Sequence, residues 1–238
     1  MPAGASLSGM QVGTAGAGGQ ARGDVVLGGG VLRVDTLLLG NGFGGLARGN
    51  LALHDTDLQA GQVSAGLGSG GIAQLLLDSS ESSVTESMVL LSGLLALDRS
   101  HLGIGDTFTF GDAALMHLAI DGLGRGTEYG AIDAAQVLLD GALELDFSEL
   151  LFGGNSAVFD LIRSGSADGI AGDFDAFSFL NLPTGFSATA GLEVDGVEVY
   201  RVRLQRNEVP EPASWLLAVI GLGLAAGVRR RGRQMLIK

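Results

Sequence analysis

Apolar residues come in short alternating runs, such as Val31-Leu32-Arg33-Val34, Leu51-Ala52-Leu53 and Val89-Leu90-Leu91, each closed off within a few residues by glycine, asparagine, aspartate or serine. Alternation of period two is the mark of strands with one buried face, and the punctuation breaks helices and favours turns. The pattern also repeats. Gly18-Gly19-Gln20-Ala21-Arg22-Gly23-Asp24-Val25-Val26-Leu27 matches Gly44-Gly45-Leu46-Ala47-Arg48-Gly49-Asn50-Leu51-Ala52-Leu53 at a shift of 26, and Gly70-Gly71-Ile72-Ala73-Gln74 follows at the same shift. Leu75-Leu76-Leu77-Asp78-Ser79 then resumes two residues short, and Leu94-Leu95-Ala96-Leu97-Asp98-Arg99-Ser100 is a fourth echo. A period near 26 is too short for a propeller blade and too rich in glycine for paired helices. It suits one coil of a β-solenoid, in which equivalent residues stack at a strand spacing of about 4.8 Å and small aliphatic side chains fill the interior. The expectation is an all-β fold, a right-handed parallel β-solenoid over residues 1–125, with a helix over Glu81 to Ala96 as a local alternative.

From about Gly126 the repeat lapses. Ala134 to Phe147 reads as a strand, a hairpin turn at Asp140-Gly141 and a second strand, and Leu192-Glu193-Val194 and Val197 to Val202 read as a hairpin closed at Asp195-Gly196. Most of the phenylalanines lie here, so residues 126–207 are expected to form a β cap over the last open coil. Residues 208–238 are different again. Pro210 and Pro212 prevent a helix from starting earlier, and the apolar run Ala213 to Val228 carries Ser214 as its only polar side chain. As a helix this run reaches about 24 Å against a hydrocarbon core of about 30 Å, so it spans as a single C-terminal transmembrane helix when the bilayer thins or the flanks snorkel. Trp215 is placed as an interfacial aromatic, and Arg229, Arg230, Arg231 and Arg233 act as a stop-transfer cluster that keeps the C-terminus cytoplasmic.

Composition narrows the function classes. The 238 residues include 41 glycines and no cysteine, which excludes disulfides and thiolate chemistry. All 26 acidic residues precede the apolar run, against nine basic ones, so this part of the chain repels nucleic acid and anionic lipid. Met1 to Gly23 holds no basic and apolar signal peptide, yet the repeat is already under way by Gly16, so the export signal is expected upstream of Met1.

Signatures of chemistry are sparse. Gly40-Asn41-Gly42-Phe43-Gly44-Gly45 and Gly66-Leu67-Gly68-Ser69-Gly70-Gly71 both fit G-x-G-x-x-G, but neither is followed by a helical pattern, and their recurrence at the repeat period makes them turns. Gly44 and Gly70 are expected at positive φ. Arg22-Gly23-Asp24 is read as a turn for the same reason. His54, His101 and His117 are scattered and read as solvated or packed. Asp55 with Asp57, and Asp168, Asp173 and Asp175, are the candidate oxygen ligands for calcium, but no calcium-loop spacing accompanies them, so neither a metal nor a cofactor is assigned. Gly223 and Gly227 form a G-x-x-x-G that would let a second helix approach closely.

The order Val209-Pro210-Glu211-Pro212, apolar segment, arginine cluster resembles the PEP-CTERM sorting signal of Gram-negative bacteria that make exopolysaccharide. The resemblance implies export, anchoring in the inner membrane by the C-terminal helix, and recognition by an exosortase-type membrane protease, with release to the envelope, cell surface or matrix. Separately, the order Leu-Asp-Gly-x-Leu-x-Leu, Phe-Asp-Leu-Ile, Gly-x-Phe and closing hairpin looks like the C-terminal end of autotransporter-like passenger solenoids. Together these point to an exported, non-catalytic structural or adhesive rod of a biofilm surface or matrix, with exopolysaccharide as a candidate partner. The alternative is a β-helix carbohydrate-active enzyme, which needs clustered carboxylates with Lys or Arg on one face.

Overall fold

A computed structural model describes residues 7–207, and every regular element in them is a strand. The first four are β1 (Met10–Val12), β2 (Gln20–Leu39), β3 (Leu46–Ala65) and β4 (Gly71–Asp78). They are followed by β5 (Glu81–Val84), β6 (Met88–Asp98), β7 (His101–Ala119), β8 (Ala131–Leu139) and β9 (Ala142–Asp146). The last five are β10 (Ser156–Ser164), β11 (Ile170–Gly172), β12 (Ala176–Leu180), β13 (Phe186–Asp195) and β14 (Val197–Arg206). No helix forms over Glu81 to Ala96, because alternate residues there, among them Ser82, Val84, Met88 and Leu90, are buried at period two. The expected transmembrane helix lies outside the described residues. Among those described, no helix is long and apolar enough to cross a membrane.

Pairing is parallel wherever the repeat runs. β2 lies on β3 with Gln20 opposite Leu46 and Leu39 opposite Ala65, the shift of 26 that the repeat sets. The strands are longer than the short runs suggested, since β2 and β3 continue through their internal glycines and bend at corners. Different stretches of β3 therefore pair with β4, β5 and β6 in turn, and β3, β4, β6, β7 and β5 close a circuit of parallel partners. The third repeat copy has a corrected register. Ala47 faces Gly71, a shift of 24, so the two-residue deletion falls within the loop before Gly71 and not after Gln74. The fourth echo is real, with Leu75 opposite Leu95 and Leu77 opposite Leu97.

This stacking builds continuous columns. One runs Leu51, Leu75, Leu95, Met116, Leu143; a second runs Leu53, Leu77, Leu97, Leu118, Leu145; a third runs Leu37, Val63, Met88, Phe108, Val137, Ile170. All are buried. At 1.5–3 kcal/mol for a fully buried aliphatic side chain, such columns dominate the stability of the fold. The coils turn one shared corner at Gly29, Asp55, Ser79 and Arg99, all with positive φ, of 77°, 48°, 55° and 45° respectively. Three of these are not glycine, and buried hydroxyls one residue on support the bend: Thr56 donates to the His54 carbonyl, and Ser100 donates to the Asp98 carbonyl and accepts the Ser80 amide.

At the C-terminal end the parallel order changes. β10 continues the ladder on β8, but its other edge pairs antiparallel with β14, and β14 pairs antiparallel with β13 through the turn at Gly196. The expected turn at Asp140-Gly141 exists, with Gly141 at φ 71°, but it is a corner and not a hairpin: β8 and β9 lie on different parts of β7. The aromatic residues gather here, Phe159 edge-on to Tyr129 at 5.4 Å and Phe174 edge-on to Tyr200 at 5.1 Å.

Of the two turn glycines expected at positive φ, Gly44 (80°) is so placed, whereas Gly70 is not; Gly68 takes the strained position in its loop at 81°. The tighter constraint is at Gly66, at φ 63°, where an added Cβ would lie 2.0 Å from the Ser92 carbonyl oxygen of the next coil. Gly66→Ala is expected to cost about 2 kcal/mol or more in a urea titration, and Gly191→Ala, where nothing lies within 4 Å of the added atom, no more than about 1 kcal/mol. Equal losses would contradict the close approach between coils.

Candidate functional site

Because each residue sits over its counterpart in the next coil, side chains that point outward meet partners 20 to 30 residues away. The histidines show this best. His54 faces Asp78, Glu81 faces His101 and His117 faces Glu144 as direct Cα partners of parallel strands. Each pair is joined through the imidazole Nδ1, at 3.1, 2.5 and 2.9 Å. The histidines are therefore neither merely solvated nor merely packed. The only sequence signal for the pairing is the stacking register itself.

His101 is the centre of the most connected cluster. Its Nε2 lies 2.7 Å from Asp133 Oδ2, and Arg125 donates to both oxygens of Asp133 at 2.8 and 2.9 Å. Arg125 also donates to the carbonyls of Ile132 and Asp160, so a side chain from the loop after β7 ties three coils together. With a carboxylate on each ring nitrogen, Asp133 first and Glu81 second, the His101 imidazole is pushed up from its ordinary pKa against the opposing effect of burial. Burial alone would raise the Asp133 carboxyl, but His101 and Arg125 overcome it and hold that carboxyl far below the usual range. A second network joins Asp160 to Arg163 and Arg201, with Glu193 bridging Arg201 and Arg203. A third has Asp78 between His54 and Arg99.

Asp133 also lines a shallow groove of about 670 Å³ that crosses the coils. Its wall is a rank of stacked positions, Ser83, Gly103, Asp133 and Arg163, with Thr85, Gly105, Ala135 and Gly165 two residues further along each strand. Asp133 is the only acidic residue on this lining, and His101 and Arg125 hold it as an anion.

The other sequence candidates fall as follows. Both G-x-G-x-x-G stretches are turns, each followed by a strand and not by the helix that a dinucleotide cradle needs; buried Asn41 holds them together by donating to the Ser64 carbonyl and accepting the Leu67 amide. Arg22-Gly23-Asp24 is not a turn. It lies within β2, with Arg22 paired to Asp24 at 2.9 Å and Asn50 donating to the same carboxylate. Asp173 accepts the Tyr200 hydroxyl at 2.6 Å, Asp57 accepts the Glu81 amide, and among the described residues no group of three or more His, Asp or Glu is placed to hold a metal ion. Val209, Pro210, Glu211, Pro212, Trp215, Arg229, Arg230, Arg231 and Arg233 lie outside the described residues, as do Gly223 and Gly227.

The comparison with known families bears on that tail. Residues 208–233 match the PEP-CTERM protein-sorting motif. The chain carries a PEP-CTERM sorting signal. The match takes in Val209 to Pro212, Trp215 and all four arginines of the cluster. A PEP-CTERM signal directs export and processing by an exosortase, a membrane protease, and so sorts the chain to the cell surface. No curated protein matches the chain.

The raised pKa of His101 fixes a direction for pH dependence. A group whose folded pKa exceeds its unfolded value of about 6.5 stabilises fully below that value and loses the contribution as pH rises through the folded pKa. His101→Gln is therefore expected to destabilise the protein more at pH 5.5 than at pH 9 in urea titrations. An equal loss at both pH values would mean that His101 serves only as a packed neutral ring.

Proposed function

We propose that the chain is an exported, non-catalytic surface or matrix protein in which a β-solenoid is presented by a PEP-CTERM tail that an exosortase processes. The observation that carries this reading is the sorting motif at residues 208–233, attached to a chain whose preceding part holds 24 of the 26 acidic residues. The solenoid reading is supported by parallel pairing at the repeat shift and by aliphatic columns that pass through successive coils. Right-handed coiling follows the rule for parallel crossovers. Residues 1–125 supply the glycine-rich repeats and residues 126–207 the region that caps them, its antiparallel hairpin covering the outer edge of β10.

A structural or adhesive role is favoured over carbohydrate chemistry by the state of the groove. A glycosidase uses two carboxyl groups in different protonation states, and the groove lining holds one, fixed as an anion by His101 and Arg125. Such a surface suits weak contact with a hydrated polymer, and exopolysaccharide of the biofilm of a Gram-negative host is the partner this reading names. The helix of the tail would hold the chain in the inner membrane until cleavage, with Pro210, Glu211 and Pro212 as the recognition turn outside it.

The test is expression of the full chain behind a working signal peptide, with a C-terminal tag, in a host that has an exosortase. The wild-type chain is expected to lose the tag, Leu216→Ala to lose it at a similar or slightly reduced rate, and the Pro210→Ala/Pro212→Ala double variant to keep it while still inserting. Retention by the wild type, or loss at equal rates from all three, would reduce the tail to a plain anchor.

A further inference from the structure

Gly103 is a glycine that the fold does not call for. It lies inside β7, outside the left-handed region, and a Cβ added to it would meet nothing nearer than the Ser82 carbonyl oxygen at 3.9 Å, an ordinary contact. Gly105, two residues on, is different: its added Cβ would lie 2.2 Å from the Thr85 carbonyl oxygen of the neighbouring coil, so packing alone demands it. A glycine inside a strand costs about 0.5–1 kcal/mol relative to alanine. What the bare position at Gly103 provides is space. It forms the floor of the groove of about 670 Å³, between Ser83 on β5 and Asp133 on β8.

The chemistry of the groove selects its occupant. Ser83, Gly103, Asp133 and Arg163 each have a partner strand on both edges, so the backbone of the floor is spent in the ladders and an incoming peptide strand finds nothing to pair with. Val84 and Ile104 turn inward and are buried, so an acyl chain finds little side-chain surface. A polyanion is opposed by the 24 acidic residues that precede the tail, against nine basic ones. What the groove does present is hydrogen-bonding groups of both kinds, in steps of about 4.8 Å from strand to strand. The Ser83 hydroxyl has no partner among the described residues. Asp133 can only accept, and its side chain is 42% exposed. Beside it on β10, Arg163 pairs with Asp160 through one nitrogen and, at 45% exposure, keeps its other donors open to solvent. Donors and acceptors side by side in a wide, wet trough match the hydroxyl groups of a sugar chain, each of which both donates and accepts.

We propose that this groove is a binding subsite for a neutral polysaccharide laid across β5, β7, β8 and β10, and that Gly103 is the residue whose missing side chain admits it. The inference rests on the surface or matrix reading for the presence of the polymer, and on the groove alone for its chemistry.

Affinity electrophoresis of the full chain in mild detergent tests it, with the exopolysaccharide of a strain that makes the chain, split by anion exchange into neutral and acidic fractions, cast into the gel. The neutral fraction is expected to retard the wild type. Gly103→Thr places a β-branched side chain on the floor without a clash, so it is expected to unfold at the same or a higher urea concentration and yet to bind at least tenfold more weakly. Ser83→Val fills the end of the groove and removes a hydroxyl at an exposed strand position, and it is expected to weaken binding severalfold at unchanged stability. Four results would overturn the proposal: a wild type that the neutral fraction does not retard; retardation unchanged in both variants, as when the polymer lies elsewhere; tighter binding of the acidic fraction; or a Gly103→Thr chain that loses stability, which would give that glycine a structural cause. Tag loss in the sorting experiment is read separately, so a chain that is sorted but not retarded removes this inference and leaves the sorting reading standing.

Discussion

Parallel in-register stacking is the constraint from which the rest of this structure follows. When each coil lies on the next with equivalent residues opposed, every position must tolerate a neighbour of its own kind at strand spacing. Inside, apolar side chains stack on apolar ones: leucine on leucine through most of two columns, and Leu37, Val63, Met88, Phe108, Val137 and Ile170 in the third. Outside, the solution varies: His54 stands on Asp78, Glu81 on His101 and His117 on Glu144, whereas Arg22 on Arg48 and Asp78 on Asp98 set like groups together, with Asp24 beside Arg22 and Arg99 beside Asp78 and Asp98. These exposed pairs contribute little one by one, but Arg125 and Asp133 join one of them into a network half removed from water, where such contacts matter more.

The same constraint explains what could be read from the chain beforehand. The shift of 26 between Arg22-Gly23 and Arg48-Gly49 is a direct image of the β2–β3 register, so the all-β class and the parallel order were visible in the letters. What was invisible was everything set by a change of coil length. The ladder passes from a shift of 26 to 24 at Ala47 and Gly71, to 20 at Ala73 and Gly93, and to 30 at His101 and Ala131. Once the shift varies, a histidine cannot be matched with its carboxylate from spacing alone, and the cluster around Asp133 stayed hidden. The corner was missed for another reason: glycine marks it only at Gly29, and Asp55, Ser79 and Arg99 take the same left-handed bend with hydroxyl support that no local motif announces. The tail was legible because its signal is local. Two prolines, an apolar run and four arginines carry their meaning in sequence order, without a partner elsewhere in the fold.

The closing hairpin has a mechanical consequence. A pull entering the described fold through Arg206 runs along β14, which is bonded on one edge to β10 and on the other to β13. Along that direction the cross-strand bonds of both ladders are loaded together in shear, and they do not open one at a time as they would if β14 were peeled sideways. The ion pairs of Arg201 to Asp160 and to Glu193 lie across both seams and resist the same sliding. The strand next to the sorting tail is therefore the one best placed to act as an anchor bolt.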